Sequence, residues 1–129
     1  MKFAYTIVYV SDVAASLDFF ERAFGLARRF MVESGEYGEL ETGGTALSFA
    51  VHATARGNLG HDYVDAQTSV KPLGIEIGFV TDDVTAACER ALQAGAMLLK
   101  APATQPWGQT VAYVRCPDGT LVELCSAMG

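Results

Sequence analysis

Ile7-Val8-Tyr9-Val10-Ser11-Asp12-Val13 and Ile77-Gly78-Phe79-Val80-Thr81-Asp82-Asp83-Val84 are two versions of one phrase. Each is an apolar, β-branched and aromatic run that ends in a hydroxyl residue, an aspartate and a valine. Aligning Asp12-Val13 with Asp83-Val84 sets an offset of 71, Gly25 falls on Gly95 at 70, and Gly44-Thr45 falls on Gly119-Thr120 at 75. Three landmarks in the same order with a slowly drifting offset predict a duplicated unit of about 60 to 70 residues.

Each copy reads outward from that phrase in the same way. Phe3 to Val10 is a strand by composition. Asp12 is a natural helix N-cap, because its carboxylate accepts from free amides of the first turn. Val13, Leu17, Phe20 and Phe24 then fall on one helical stripe, and Gly25 ends the helix because it takes the left-handed conformation without cost. In the second copy Asp83 is the cap, Val84, Cys88 and Ala91 form the stripe, and Gly95 is the stop. Three strands follow each helix: about Ala27–Glu33, Tyr37–Glu41 and Ala46–His52, then about Met97–Lys100, Gln109–Arg115 and Leu121–Ser126. Ser34-Gly35-Glu36, Thr42-Gly43-Gly44 and Pro117-Asp118-Gly119 supply turns. The expectation is an α+β fold of two tandem β-α-β-β-β modules forming a cupped mixed sheet. It makes one domain over residues 1–129, with module one at about 1–55 and module two at about 73–129. A polar linker of roughly 20 residues, at about 53–72, has no clear period. A loop of that length in a compact domain is a lid, a linker or an unrecognised element.

The bulk properties narrow the function. Of 129 residues, half are hydrophobic and 19% are charged, enough for a real core and against disorder. The net charge of −6 repels phosphates, so no nucleic-acid partner is expected; the charge would favour a cationic ligand, or serves solubility alone as in many acidic soluble proteins. No apolar run approaches the ~20 residues of a membrane helix, and the apolar start reads as a first strand rather than a signal peptide. Cys88, Cys116 and Cys125 are odd in number and lack metal-type spacing. The final hairpin puts Cys116 near Leu121 and Cys125 near Ala112, too far apart to bridge. Free thiols in a reducing cytoplasm follow as the simplest account.

Val10-Ser11-Asp12-Val13 with Ser16 and Phe19-Phe20 resembles the opening of glyoxalase/bleomycin-resistance/dioxygenase proteins, also called vicinal-oxygen-chelate proteins. The closing run Pro106-Trp107-Gly108-Gln109, Ala112-Tyr113-Val114-Arg115 and Pro117-Asp118-Gly119-Thr120-Leu121-Val122-Glu123-Leu124 closely resembles that family's last hairpin. The resemblance covers the whole chain in order. It implies a cupped mixed sheet of eight strands, a cleft on its inner face and a homodimer in which modules of two chains pair. It does not set an activity, because the family includes metal-dependent lyases, epoxide-opening transferases, extradiol dioxygenases and metal-free drug-sequestering proteins.

The family's metal ligands, carried over through the same landmarks, fall on Tyr5, Ser48, Glu76 and Glu123. Glu123 matches the family carboxylate. Tyr5 and Glu76 stand where histidine is usual, and Ser48 replaces a carboxylate. A phenol with pKa about 10 is a poor ligand at neutral pH, and two carboxylates alone hold Mg or Mn only loosely. No cofactor is therefore expected, with a divalent metal on Glu76 and Glu123 as the alternative. His52 shares the inner face but lies about 13 Å along the strand from Ser48. His61 is in the linker and could fold over the cleft.

Glu76, between Ile75 and Ile77, faces away from the helix side. If it converges with Glu123, like-charge repulsion raises proton affinity, which suits an acid/base pair or a cationic ligand equally. Glu123 could instead pair within its own strand, without a role. Tyr5 and Tyr9 stack on a planar ligand or simply pack the sheet. Trp107 walls a pocket or anchors its hairpin. Arg28 and Arg29 read as a solvated strand end rather than an anion site. The expected ligand-binding set is Tyr5, Tyr9, Ser48, Glu76, Trp107 and Glu123. The leading expectation is a homodimeric small-molecule-binding protein of the bleomycin-resistance type, sequestering a cationic or aromatic ligand without metal. The rival is a metal-dependent lyase like lactoylglutathione lyase, or a dioxygenase-type enzyme, using Glu76 and Glu123. A third is a structural or regulatory module without ligand.

Overall fold

A computed structural model of the chain describes residues 1–128. The first module runs β1 (Tyr5–Val10), α1 (Val13–Phe24), β2 (Ala27–Met31), β3 (Tyr37–Glu41) and β4 (Ala46–Val51). A helix of the linker follows, α2 (His52–Leu59). The second module repeats the plan: β5 (Glu76–Val80), α3 (Val84–Ala94), β6 (Met97–Thr104), β7 (Thr110–Arg115) and β8 (Leu121–Cys125). Each module makes a four-stranded mixed sheet, ordered β1-β4-β3-β2 and β5-β8-β7-β6, with the first and last strands parallel. β1 and β5 each form one margin of their own sheet.

The helix boundaries follow the capping chemistry. Asp12 and Asp83 sit in extended backbone and accept from the amides of Ala15 and Ala86, both at 3.0 Å. Gly25 and Gly95 close the helices at φ 70° and 121°. The apolar stripes of α1 and α3 face one shared core. Leu17, Phe20, Leu40, Phe49, Val114 and Val122 are all fully buried within it. Phe79 of β5 reaches Phe24 of α1 with ring centroids 5.1 Å apart, so aromatic packing crosses from one module to the other. Arg90 also crosses, donating to the carbonyl of Arg22 at 2.7 Å.

Several elements differ from the sequence reading: β1 begins at Tyr5 rather than Phe3, β7 and β8 are each one residue shorter, and three larger differences have physical causes. His52 does not end β4; it begins α2, inside the stretch read as periodless. That helix buries only Ala55 and carries Gly57, so it has almost no apolar stripe to recognise. β2 stops at Met31 rather than Glu33, because the chain already turns there: Val32 donates to Tyr37 and Gly35 back to Val32. β6 runs on past Lys100 to Thr104 through Pro102. A proline is tolerated because β6 is an outer strand and its pairing to β7 is irregular between Leu98 and Ala103. In the last hairpin Cys125 pairs with Val111, one residue from the expected Ala112, and Leu121 with Arg115. Cys88, Cys116 and Cys125 are all free and buried.

Candidate functional site

Strand alternation gives each sheet a helix-covered face and an open one. On the second sheet, Val122 and Leu124 enter the core while Glu123 turns outward, and Ile77 and Phe79 pack inward while Glu76 and Gly78 turn outward. Register places Glu123 directly between Gly78 on β5 and Tyr113 on β7. Gly78 leaves open space beside it, since a Cβ there would meet no atom within 4 Å. Glu76, diagonal to Glu123, comes within hydrogen-bonding reach of it. Burial, and then the neighbouring Glu123 carboxylate, push the Glu76 carboxyl above the usual carboxylate range. Tyr113 donates to Glu123 Oε1 at 3.4 Å, and burial raises its phenol as well. The open face of the second sheet therefore carries two convergent carboxylates and a phenol around a gap left by a glycine.

The first sheet's open face is filled by its own side chains. Ser48 lies between Ile7 and Glu39, the counterpart of Glu123 between Gly78 and Tyr113. It is fully buried and its hydroxyl has no hydrogen-bond partner. Tyr37 donates to Glu39 at 2.7 Å, and Arg29 bridges Glu39 and Glu41 at 3.3 and 2.8 Å. Arg29 is thus an internal brace between β2 and β3, and Arg28 pairs with Glu21 of α1 at 2.7 Å.

The linker joins this face in a way the sequence did not reveal. Tyr63 stacks against Tyr9 with centroids 4.9 Å apart, and its hydroxyl bonds Nδ1 of His52. His52 Nε2 lies 3.5 Å from Asp65, and the Arg56 guanidinium sits 4.9 Å over the Tyr63 ring. Beyond Tyr63 the chain is strapped to the last hairpin. Arg115 donates to the carbonyls of Ala66, Ser69 and Val70, and Gln67 to that of Pro117. Between β1, β5 and this strap lies a cavity of about 170 Å³.

Of the six residues expected to bind ligand, Glu76 and Glu123 meet on the second sheet. Tyr5 is 57% exposed on β1, Ser48 is enclosed, and Tyr9 packs on the strap. Trp107 stands on the β6–β7 turn, 64% exposed, with its indole N–H donating to Gln109 at 2.8 Å. It does not line the cavity. His61 is exposed in the linker. Tyr113 was missed although the final hairpin carries its signal: counting back across the Pro117-Asp118-Gly119 turn sets it opposite Glu123. Tyr63 had no local signal.

The family model of the Glyoxalase/Bleomycin resistance protein/Dioxygenase superfamily matches residues 2–124. The chain belongs to that superfamily. None of the curated proteins compared with the chain matches it. Among solved structures, the chain is similar to a glyoxalase-related enzyme from Fulvimarina pelagi, at TM-score 0.85 and 22% identity, covering 98% of this chain and 88% of that one. It is also similar to a superfamily enzyme from Burkholderia phytofirmans PsJN, at 0.81 and 20%, covering 99% and 100%. A protein of unknown function from Agrobacterium tumefaciens matches at 0.77 and 23%, covering 99% and 95%. At these identities the likeness establishes the superfamily fold and leaves activity to the residues.

A superfamily metal centre would draw its ligands from Tyr5, Ser48, Glu76 and Glu123. Glu76 and Glu123 converge, but Tyr5 and Ser48 supply a phenol and a hydroxyl, and the His52 imidazole is bonded through Nδ1 to Tyr63, with its buried Nε2 3.5 Å from Asp65 and without a hydrogen-bond partner. Among the described residues, no three His, Cys, Asp or Glu side chains come together as a metal-binding group. The set does not fit a zinc, nickel or iron centre, which needs three or four N, S or O ligands. No helix among the described residues is long and apolar enough to cross a membrane.

Proposed function

We propose that this superfamily member binds a planar cationic small molecule on the open face of its second sheet and acts by sequestration, without metal. The observation that carries the reading is the Glu76–Glu123 pair: two carboxylates held together at a cost that a bound cation relieves. The gap at Gly78 admits a flat ring beside them, and Tyr113 gives it a phenol to rest against. Tyr5, Ile75 and Val80, at the ends of β1 and β5, expose apolar surface at 57%, 65% and 66%. A homodimer that covers these three side chains is part of the proposal, as is a reducing, cytoplasmic setting for the three buried thiols.

The test is a fluorescence titration with acridine orange, a planar cation, beside fluorescein as a planar anion, with Trp107 emission as a second readout. Glu123→Gln and Glu76→Gln are each expected to weaken acridine orange by about tenfold, the value of one good charge contact. Equal binding of fluorescein, or indifference to both substitutions, would falsify the reading. One observation favours a second reading, a lyase-type enzyme: a carboxyl pushed upward in pKa is a natural general acid or base. Turnover of a hemithioacetal substrate, abolished by Glu76→Gln, would establish it in place of sequestration.

A further inference from the structure

The cavity between the modules lies beside the open faces of the sheets, and Glu123, Gly78 and Tyr113 are not part of its lining. Of the four positions where the superfamily places its ligands, only Glu76 lines it; Tyr5, Ser48 and Glu123 do not. Its walls are Ile7 and Tyr9 of β1, Ile77 of β5, Leu121 of β8, and Tyr63 and Leu73 of the linker. It is a seam between the two modules, covered on one side by the strap.

We propose that this seam cavity is a second binding site, taking a single-ring aromatic molecule with a cationic substituent. Size sets the ring count. Its volume of about 170 Å³ compares with the roughly 150 Å³ at which an apolar cavity holds one benzene, whereas drug-sized ligands need about 300 Å³ or more. The walls set the chemistry. Aliphatic side chains and two phenol rings offer dispersion and edge-to-face contact. Glu76 is the one charged residue in the lining, and no lysine, arginine or histidine is there to receive an anion. The roof is preformed, so a ligand does not have to order it. Arg115 clasps three strap carbonyls, and Gly119 lies so close under Ala66 that a Cβ would fall 2.1 Å from its carbonyl oxygen. The proposal stands apart from sequestration on the open face, sharing only Glu76 with it.

The test uses benzylamine, benzyl alcohol and benzoate with the full chain, followed by calorimetry and thermal unfolding. The expected order is benzylamine first, benzyl alcohol weaker, and benzoate without effect. Ala66→Leu pushes a side chain into the seam and is expected to weaken benzylamine at least tenfold. Glu76→Gln is expected to bring benzylamine within twofold of benzyl alcohol. Glu123→Gln, which does not line the seam, leaves benzylamine within twofold of wild type while acridine orange weakens by about tenfold. If Ala66→Leu does not fold, methyl NMR of the wild type with benzylamine decides, by shifts concentrated on Ile7, Ile77, Leu73 and Leu121. Benzoate binding as tightly as benzylamine, unchanged affinity in Ala66→Leu, methyl shifts centred elsewhere, or no binding by any of the three overturns the proposal.

Discussion

Ser16 Oγ donates to Asp118 Oδ2 at 2.8 Å, joining residues 102 apart in sequence and both buried. The other oxygen of Asp118 accepts from the Thr120 amide and hydroxyl at 3.0 and 2.7 Å. The carboxylate therefore shapes the last turn of the second module and grips the first helix of the other. Ser16→Ala removes the cross-module donor and leaves Asp118 Oδ2 dry. The expected cost is about 1–3 kcal/mol, read as a lower urea midpoint at unchanged slope. A midpoint equal to wild type would show that the bond contributes nothing to joining the modules.

Glu76 makes stability depend on pH in a direction opposite to an ordinary paired carboxylate. Its folded pKa lies above the unfolded value of 4.5, so the folded state binds the proton more tightly than the unfolded state. Its contribution is best below 4.5 and is lost as pH rises through the raised folded value. Glu76→Gln keeps the shape of the side chain without the charge. Relative to wild type, the variant is expected to gain melting temperature progressively as pH rises from about 4.5 to 7, by about 3 °C at most. A constant difference over that range would mean that Glu76 titrates normally.

Gly119 occupies the point where the strap meets the last hairpin, at φ 91°. Gly119→Ala adds a left-handed penalty of about 1 kcal/mol and drives a methyl into the Ala66 carbonyl. The clash is with backbone and cannot be relieved by a rotamer change. We expect a loss of about 2 kcal/mol or more, with hydrogen exchange of the 63–71 amides accelerated beyond that of the core strands. Equal acceleration in strap and core would show instead that the turn itself had failed.

Divalent metal is expected to leave the protein indifferent. EDTA-stripped protein scanned with Ni, Zn, Co, Mn and Mg should melt within about 1 °C of the metal-free value. A ligand at a hundred times its dissociation constant would add about 2.7 kcal/mol and shift the midpoint by several degrees. A shift with one metal that disappears in Glu123→Gln would overturn the sequestration reading.

What could be read in the sequence was what local chemistry decides. Asp12 with Gly25 and Asp83 with Gly95 mark their helices by capping alone, and Pro117-Asp118-Gly119 sets the final hairpin within one residue. Strand alternation and the superfamily landmarks left the meeting of Glu76 and Glu123 as one of two readings, the other pairing Glu123 within its own strand. What stayed hidden depends on contacts distant in sequence. Tyr63 finds Tyr9 across 54 positions, and nothing near either residue predicts the meeting. α2 lacks a stripe because it lies along the first sheet with one buried alanine. Ser48 was read as facing an open cleft, yet it is wholly enclosed, because Tyr37, Glu39 and Arg29 close that face with bonds among themselves.

The four margins of the two sheets are not equivalent. The outer strands β2 and β6 both have slipped registers, and β6 carries Pro102, which interrupts its row of amide donors. Irregular margins of this kind are poor templates for strand addition. β1 and β5 pair with β4 and β8 in unbroken register, and β1 reads Tyr5-Thr6-Ile7-Val8-Tyr9-Val10, uncharged, without proline and rich in β-formers. Six residues of that character are the signature of a cross-β nucleus once freed. The strap and seam thus guard a fibril-prone segment of the chain, and variants that loosen the strap should aggregate at temperatures where the core is still folded.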